Sequence, residues 1–158
     1  MANTQSMCTS FMGELLTGTH NFGTAPIRAA TTADTFKAAL YLTSATVNAA
    51  TTAYSATNEV SGTGYTAGGV VVTNATAPLS TNSSATAGVA YWTPSASITY
   101  TTVTLTTAFD SVLIYNSTQS NKAVSVHTFG SQTITAGTFT LTMPSNTTST
   151  ALLRLATT

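Results

Sequence analysis

Ser111-Val-Leu-Ile-Tyr115 is apolar on both faces, and Asn116-Ser-Thr-Gln-Ser-Asn121 and Lys122-Ala-Val-Ser-Val-His-Thr-Phe129 follow it. A strand of the first kind has no solvent face, so it belongs in the middle of a sheet. The six polar residues after it read as a turn, and the third stretch as the returning strand of a hairpin. A central antiparallel pair therefore anchors the fold.

On either side the period stays at two. Residues 35–43 place Phe36, Ala38, Leu40 and Leu42 on one face, with Lys37, Ala39 and Tyr41 on the other. That alternation predicts a half-buried strand. Strands are also predicted over 70–76, 89–93, 98–106 and 151–155. Within 98–106 the apolar parity moves from even (Ile98, Tyr100) to odd (Val103, Leu105), which predicts a β-bulge near Thr101-Thr102. Residues 132–135 and 138–143 flank Ala136-Gly137, read as a two-residue hairpin turn. Residues 78–88 and 144–150 read as loops. Strands so closely and regularly spaced predict an all-β antiparallel two-sheet sandwich, jelly-roll-like, with one short N-terminal helix.

That helix is predicted over 8–20. Cys8, Phe11, Leu15 and Gly18 form one stripe, Met12, Leu16 and His20 lie beside it, and Gly23 and Pro26 end the region. Residues 1–7 read as a flexible arm and 8–158 as a single domain. Residues 44–69 lie between two strands and read as a long, ordered loop. Loops of that length are usually functional or disordered. Its glycines permit positive φ and close backbone approach.

Composition narrows the function. Thirty-eight of 158 residues are Thr, a β-branched residue suited to a pleated, half-exposed surface. Only 5% are charged, against about 25% in an ordinary soluble domain. The eight are Glu14, Arg28, Asp34, Lys37, Glu59, Asp110, Lys122 and Arg154, with net charge +0. Nothing there draws the chain to nucleic acid or to an anionic membrane. Near-zero charge gives little repulsion between copies, which favours association. The first residues have neither a basic nor an apolar stretch of the secretory kind, and no apolar run is long enough for a transmembrane helix.

The residues that carry chemistry are few. His20, His127 and the lone Cys8 are too short an inventory for a metal site, so no metal or cofactor is expected. Cys8 reads as a buried apolar residue, with an intermolecular disulfide as the sharper reading. Asp110, His127 and any of many serines could be named as a triad, but no G-x-S-x-G sequence is present. His127 reads as partly buried and hydrogen-bonded, and Glu59 as a loop carboxylate accepting backbone N–H groups. Asn74, Asn82, Asn116 and Asn146 match the glycosylation pattern, as chance allows at this Thr content. Tyr65, Tyr91, Trp92 and Tyr100 are candidates for a sugar-stacking platform or, more simply, for core and interface positions. No catalytic residue is assigned. The candidate interface residues are Phe11 and Leu15 on the helix, and Glu59, Gly62, Gly64, Tyr65, Gly68 and Gly69 in the loop.

Several stretches carry a resemblance. They are Phe36-Lys-Ala-Ala-Leu-Tyr41, the run from Ala53 to Gly69 with its Glu-Val-x-Gly-x-Gly-Tyr-x-x-Gly-Gly core, Leu113-Ile-Tyr-Asn-Ser-Thr118, Asn121-Lys-Ala-Val124, Ala136-Gly-Thr-Phe-Thr-Leu141 and Leu152-Leu-Arg-Leu155. Together they resemble a family of small virion structural proteins of tailed bacteriophages. The resemblance implies a particle component and not an enzyme. The expectation is a capsid decoration (cement) protein on the outer capsid surface of the virion, bridging neighbouring copies of the major capsid protein and associating with itself. A tail-fibre or neck component is the alternative within particles. A carbohydrate-binding module is the alternative from another class, and an enzyme would need Glu59, Asp110 or His127 to converge.

Overall fold

The long pair that anchors the fold is β6 (Ile98–Asn116) with β7 (Lys122–Leu141), joined by the turn at 117–121. The computed structural model describes residues 3–16, 18–22, 33–73, 77–81 and 88–156. Six residues from Ser111 to Asn116 are buried in succession, because β7 flanks them on one side and β2 (Phe36–Leu42) on the other. β2 pairs antiparallel with β6 from Phe36↔Asn116 to Leu42↔Phe109. β1 (Ser6–Met7) lies on β7 and β3 (Val70–Val71) on β2, giving a five-stranded sheet of order β1-β7-β6-β2-β3. β4 (Leu79–Ser80), β5 (Val89–Trp92) and β8 (Leu153–Ala156) form a second, three-stranded sheet of order β4-β5-β8. Every pairing between these strands is antiparallel. The chain is therefore mostly antiparallel β in two sheets, with very little helix.

Trp92 of the smaller sheet meets the larger one through aromatic packing. Its ring lies 4.8 Å from Phe22 and 6.3 Å from Phe36, and Phe22 stacks on Phe36 at 4.3 Å. All three are at least 94% buried, and burial of that much aromatic surface makes them dominant core residues.

Several local expectations change. The bulge near Thr101-Thr102 is present: the register shifts between Tyr100 and Val103, and Thr102 has φ +53°. The strands expected over 98–106 and 111–115 are one continuous strand, since β6 bends through its irregularities without leaving the sheet. Ala136-Gly137 is not a hairpin turn. Ile134 pairs with Leu105 and Gly137 with Val103, so two residues of β7 oppose one of β6. That is a second bulge, with Ala136 at φ +47°. The strand over 70–76 is reduced to two residues, and its end at 74–76 lies outside the described residues. The loop at 78–88 contains β4.

The helix expected over 8–20 is shorter: α1 (Thr9–Leu16) has eight residues. Gly18, at φ +66°, ends it, with its N–H to Leu15 O and the Thr19 N–H to Glu14 O at 2.8 Å. This is the left-handed cap that glycine favours. Residues 3–7 of the predicted arm are docked. Asn3 Nδ2 donates to Asp110 Oδ1 at 2.6 Å, Val47 N donates to Asn3 Oδ1, and Ser6 pairs with Val126. Gly23, Pro26, Arg28, Asn74, Asn82 and the side chains of Met12 and Leu16 lie outside the described residues.

Candidate interface loop

The segment between β2 and β3 is fastened to the sheet by its backbone before any side chain acts. Leu42 N donates to Asn58 O, Val60 N to Leu40 O, Tyr54 N to Asn121 O, and Thr104 N to Thr63 O at 2.9 Å. Its glycines permit that approach. A Cβ on Gly69 (φ +72°) would collide with Ala38 O, and one on Gly64 (φ +79°) with Thr102 O. No L side chain is accommodated at either position without backbone movement. A Cβ on Gly62 would likewise strike Thr104 O.

Glu59 is the hub of this segment. Oε1 accepts the Tyr65 hydroxyl and the Gly68 N–H, each at 2.7 Å, and Oε2 accepts the Tyr54 hydroxyl at 2.6 Å. Three donors to one largely buried carboxylate are strong, charge-assisted bonds. The sequence-based reading of a carboxylate taking backbone N–H groups covers one of the three; the two tyrosines are new. Tyr65 also accepts the Leu40 N–H, Tyr41 donates to Ser55 O, Tyr115 to Gly68 O and Tyr100 to Ala38 O. Burial raises the Tyr54, Tyr65, Tyr100 and Tyr115 phenols above their ordinary value, helped at Tyr54 and Tyr65 by the bond to Glu59 and at Tyr100 and Tyr115 by its charge. Five of the six tyrosines thus hold strand and loop together as neutral donors.

A second polar cluster ties α1 to the β6–β7 turn. Glu14 Oε1 accepts Lys122 Nζ and Oε2 accepts His20 Nε2, both at 2.7 Å. Asn116 Nδ2 lies 3.1 Å from His20 Nδ1 and donates to Asp34 Oδ2 at 2.7 Å, while Gln119 Nε2 donates to Asp34 Oδ1. Burial works to raise the Glu14 carboxyl, but the Lys122 and His20 bonds prevail and hold it below the usual range. Burial depresses His20, against the pull of Glu14 and Asp34.

The predicted interface residues separate into two groups. Phe11, Glu59 and Gly68 are buried in the chain's own interior, and Leu15 packs half-buried against the core. Gly62 and Gly64 are exposed, with Tyr65 and Gly69 intermediate. Of the four aromatics named as a platform, Trp92 and Tyr100 are each 2% exposed, and Tyr65 stacks on Tyr100. They form no flat, exposed surface. Glu59, Asp110 and His127 each bond elsewhere: His127 Nε2 meets Ser125 Oγ at 2.9 Å, and Asp110 takes Asn3. Burial pushes His127 down to about 4. Cys8 is fully buried and its thiol is pushed up to about 11 by burial and Glu14, the environment of an inert structural cysteine. Among the described residues no three of His, Cys, Asp and Glu gather as metal ligands would. The Glu14–His20–Asn116–Asp34 cluster was not foreseen; its one signal is that Glu14 and His20 lie six positions apart.

Comparison with known proteins finds no matching family model, no similar curated protein and no similar solved structure.

Proposed function

We propose that this chain is a virion structural protein of a tailed phage, a capsid decoration protein that bridges neighbouring major capsid proteins on the outer capsid surface. It associates with itself and acts by contact, without cofactor, nucleic acid or membrane. The observation that supports this is where the few charges are engaged. Glu14, Asp34 and Lys122 share one internal cluster, Glu59 is bound by tyrosines and Asp110 by Asn3. Apart from Lys37 and Arg154, the surface left between them carries many exposed threonines, with their hydroxyls and methyls. Such a surface suits permanent contact, and repetition on a lattice multiplies weak contacts into stable attachment. The jelly-roll-like wrapping of the two sheets is part of the same proposal.

Reconstruction of the particle tests it. Density for this fold is expected on the outer shell, spanning adjacent capsid subunits. Density in a fibre or at the neck would replace the decoration reading with the alternative, and absence from the particle would overturn both.

A further inference from the structure

Among the described residues, one long edge of the β6–β7 ribbon has no partner strand over most of its length. On the outer side of β7, β1 pairs only with Ser125 and Val126. Beyond that point no described strand lies against it, although β7 runs on to Leu141. Proteins ordinarily protect such an edge with Lys, Pro or a bulge. Here no charged residue and no proline occurs between Lys122 and Pro144. The bulge at 135–136 interrupts the edge, but from Gly137 to Leu141 β7 is regular, because the extra residues opposite it belong to β6.

We propose that residues 137–141 of β7 are a self-association edge, which pairs antiparallel with the same residues of a second copy about a twofold axis through Phe139. Two observations favour a second copy as the occupant. About that axis residue 138 of one copy faces residue 140 of the other, so charges of one sign in this segment would be brought together; residues 137–141 carry none. Beside the edge lies an apolar row of Phe129, Phe139 and Leu141, packed against the core and left partly exposed. Phe139 packs 5.1 Å from both Phe109 and Phe129. A second copy would bring its own row alongside, and each would cover the other. Thr138 and Thr140, exposed on the opposite face, would meet across the axis.

The inference rests on the self-association part of the proposed function and is independent of the position on a particle. Purified wild-type protein is expected to sediment as a dimer or a larger even oligomer. Thr138→Lys/Thr140→Lys sets like charges opposite each other and should weaken association about ten- to thirty-fold, with the melting temperature of the folded chain unchanged. Thr140→Lys alone reads the same edge if the double variant does not fold. Mixing the Lys variant with Thr138→Glu/Thr140→Glu should restore a heterodimer. Undiminished association of a folded Lys variant would overturn this edge while leaving self-association intact. A wild-type monomer at every concentration would overturn both.

Discussion

Asn116 Nδ2 lies 3.1 Å from His20 Nδ1, and this contact fixes the protonation of the ring. The amide cannot turn over, because its Oδ1 accepts the backbone N–H groups of Thr118 and Gln119 while Nδ2 donates to Asp34. Nδ1 therefore accepts, and the ring proton sits on Nε2 and is donated to Glu14. A second proton on Nδ1 would face the amide hydrogens. His20 is thus held neutral by geometry as well as by burial.

Stability should consequently fall on mild acidification. The folded-state values of His20 and His127 are both depressed, so the unfolded chain binds protons first as pH drops below the ordinary histidine value. The loss begins below about 6.5 and is complete for His127 near 4, amounting to about 3 kcal/mol at most for that residue. Glu14, also depressed, adds to the loss at still lower pH. Urea midpoints at pH 7, 5.5 and 4.5 measure this. His20→Gln should flatten part of the slope, and a midpoint constant over that range would contradict the buried neutral histidines.

Glu59→Ala should cost roughly 2–4 kcal/mol, because it leaves the Tyr54 and Tyr65 hydroxyls and the Gly68 N–H without their acceptor. Glu59→Gln retains an acceptor oxygen and should cost less. Thermal denaturation of the two variants ranks them. Equal melting temperatures for both variants and the wild type would show that the carboxylate holds nothing.

Gly69→Ala should destabilise by at least about 2 kcal/mol, from the left-handed backbone together with the collision at Ala38 O. Gly130→Ala is the control, since a Cβ there meets nothing within 4 Å. Chemical denaturation of the pair should separate them clearly. Similar midpoints would mean that the β2–β3 segment is not held against the sheet as described.

The central strands were legible because Val112, Leu113, Ile114 and Tyr115 are apolar whichever way they point. Ala136-Gly137 was misread for a physical reason: positive φ serves a tight turn and a bulge alike, and only the opposing strand distinguishes them. The helix was overextended because Gly18 and His20 continue the apolar spacing, while Gly18 is also the residue that ends it. The Glu-Val-x-Gly-x-Gly-Tyr-x-x-Gly-Gly run stood out in the sequence. Its partners did not, since Ala38, Leu40 and Thr104 present backbone atoms that no residue type announces. The cluster around Asn116 was hidden by separation: Glu14 and Lys122 meet across 108 positions.

On the proposed function, attachment to a particle should be insensitive to salt. Charge-steered contacts weaken as the screening length shrinks, to about 3 Å at 1 M. Glu14 and Lys122 already satisfy each other at 2.7 Å, and Glu59 and Asp110 are engaged by neutral donors within the chain. On that function, contacts made by the remaining surface would come from apolar area and neutral hydrogen bonds, which salt does not screen and which exclusion of ions can strengthen. Retention of the protein on purified particles, followed from low to molar salt, is expected to stay constant. Release at moderate salt would assign the attachment to exposed charges such as Arg154, and the uncharged-contact mechanism would fail with it.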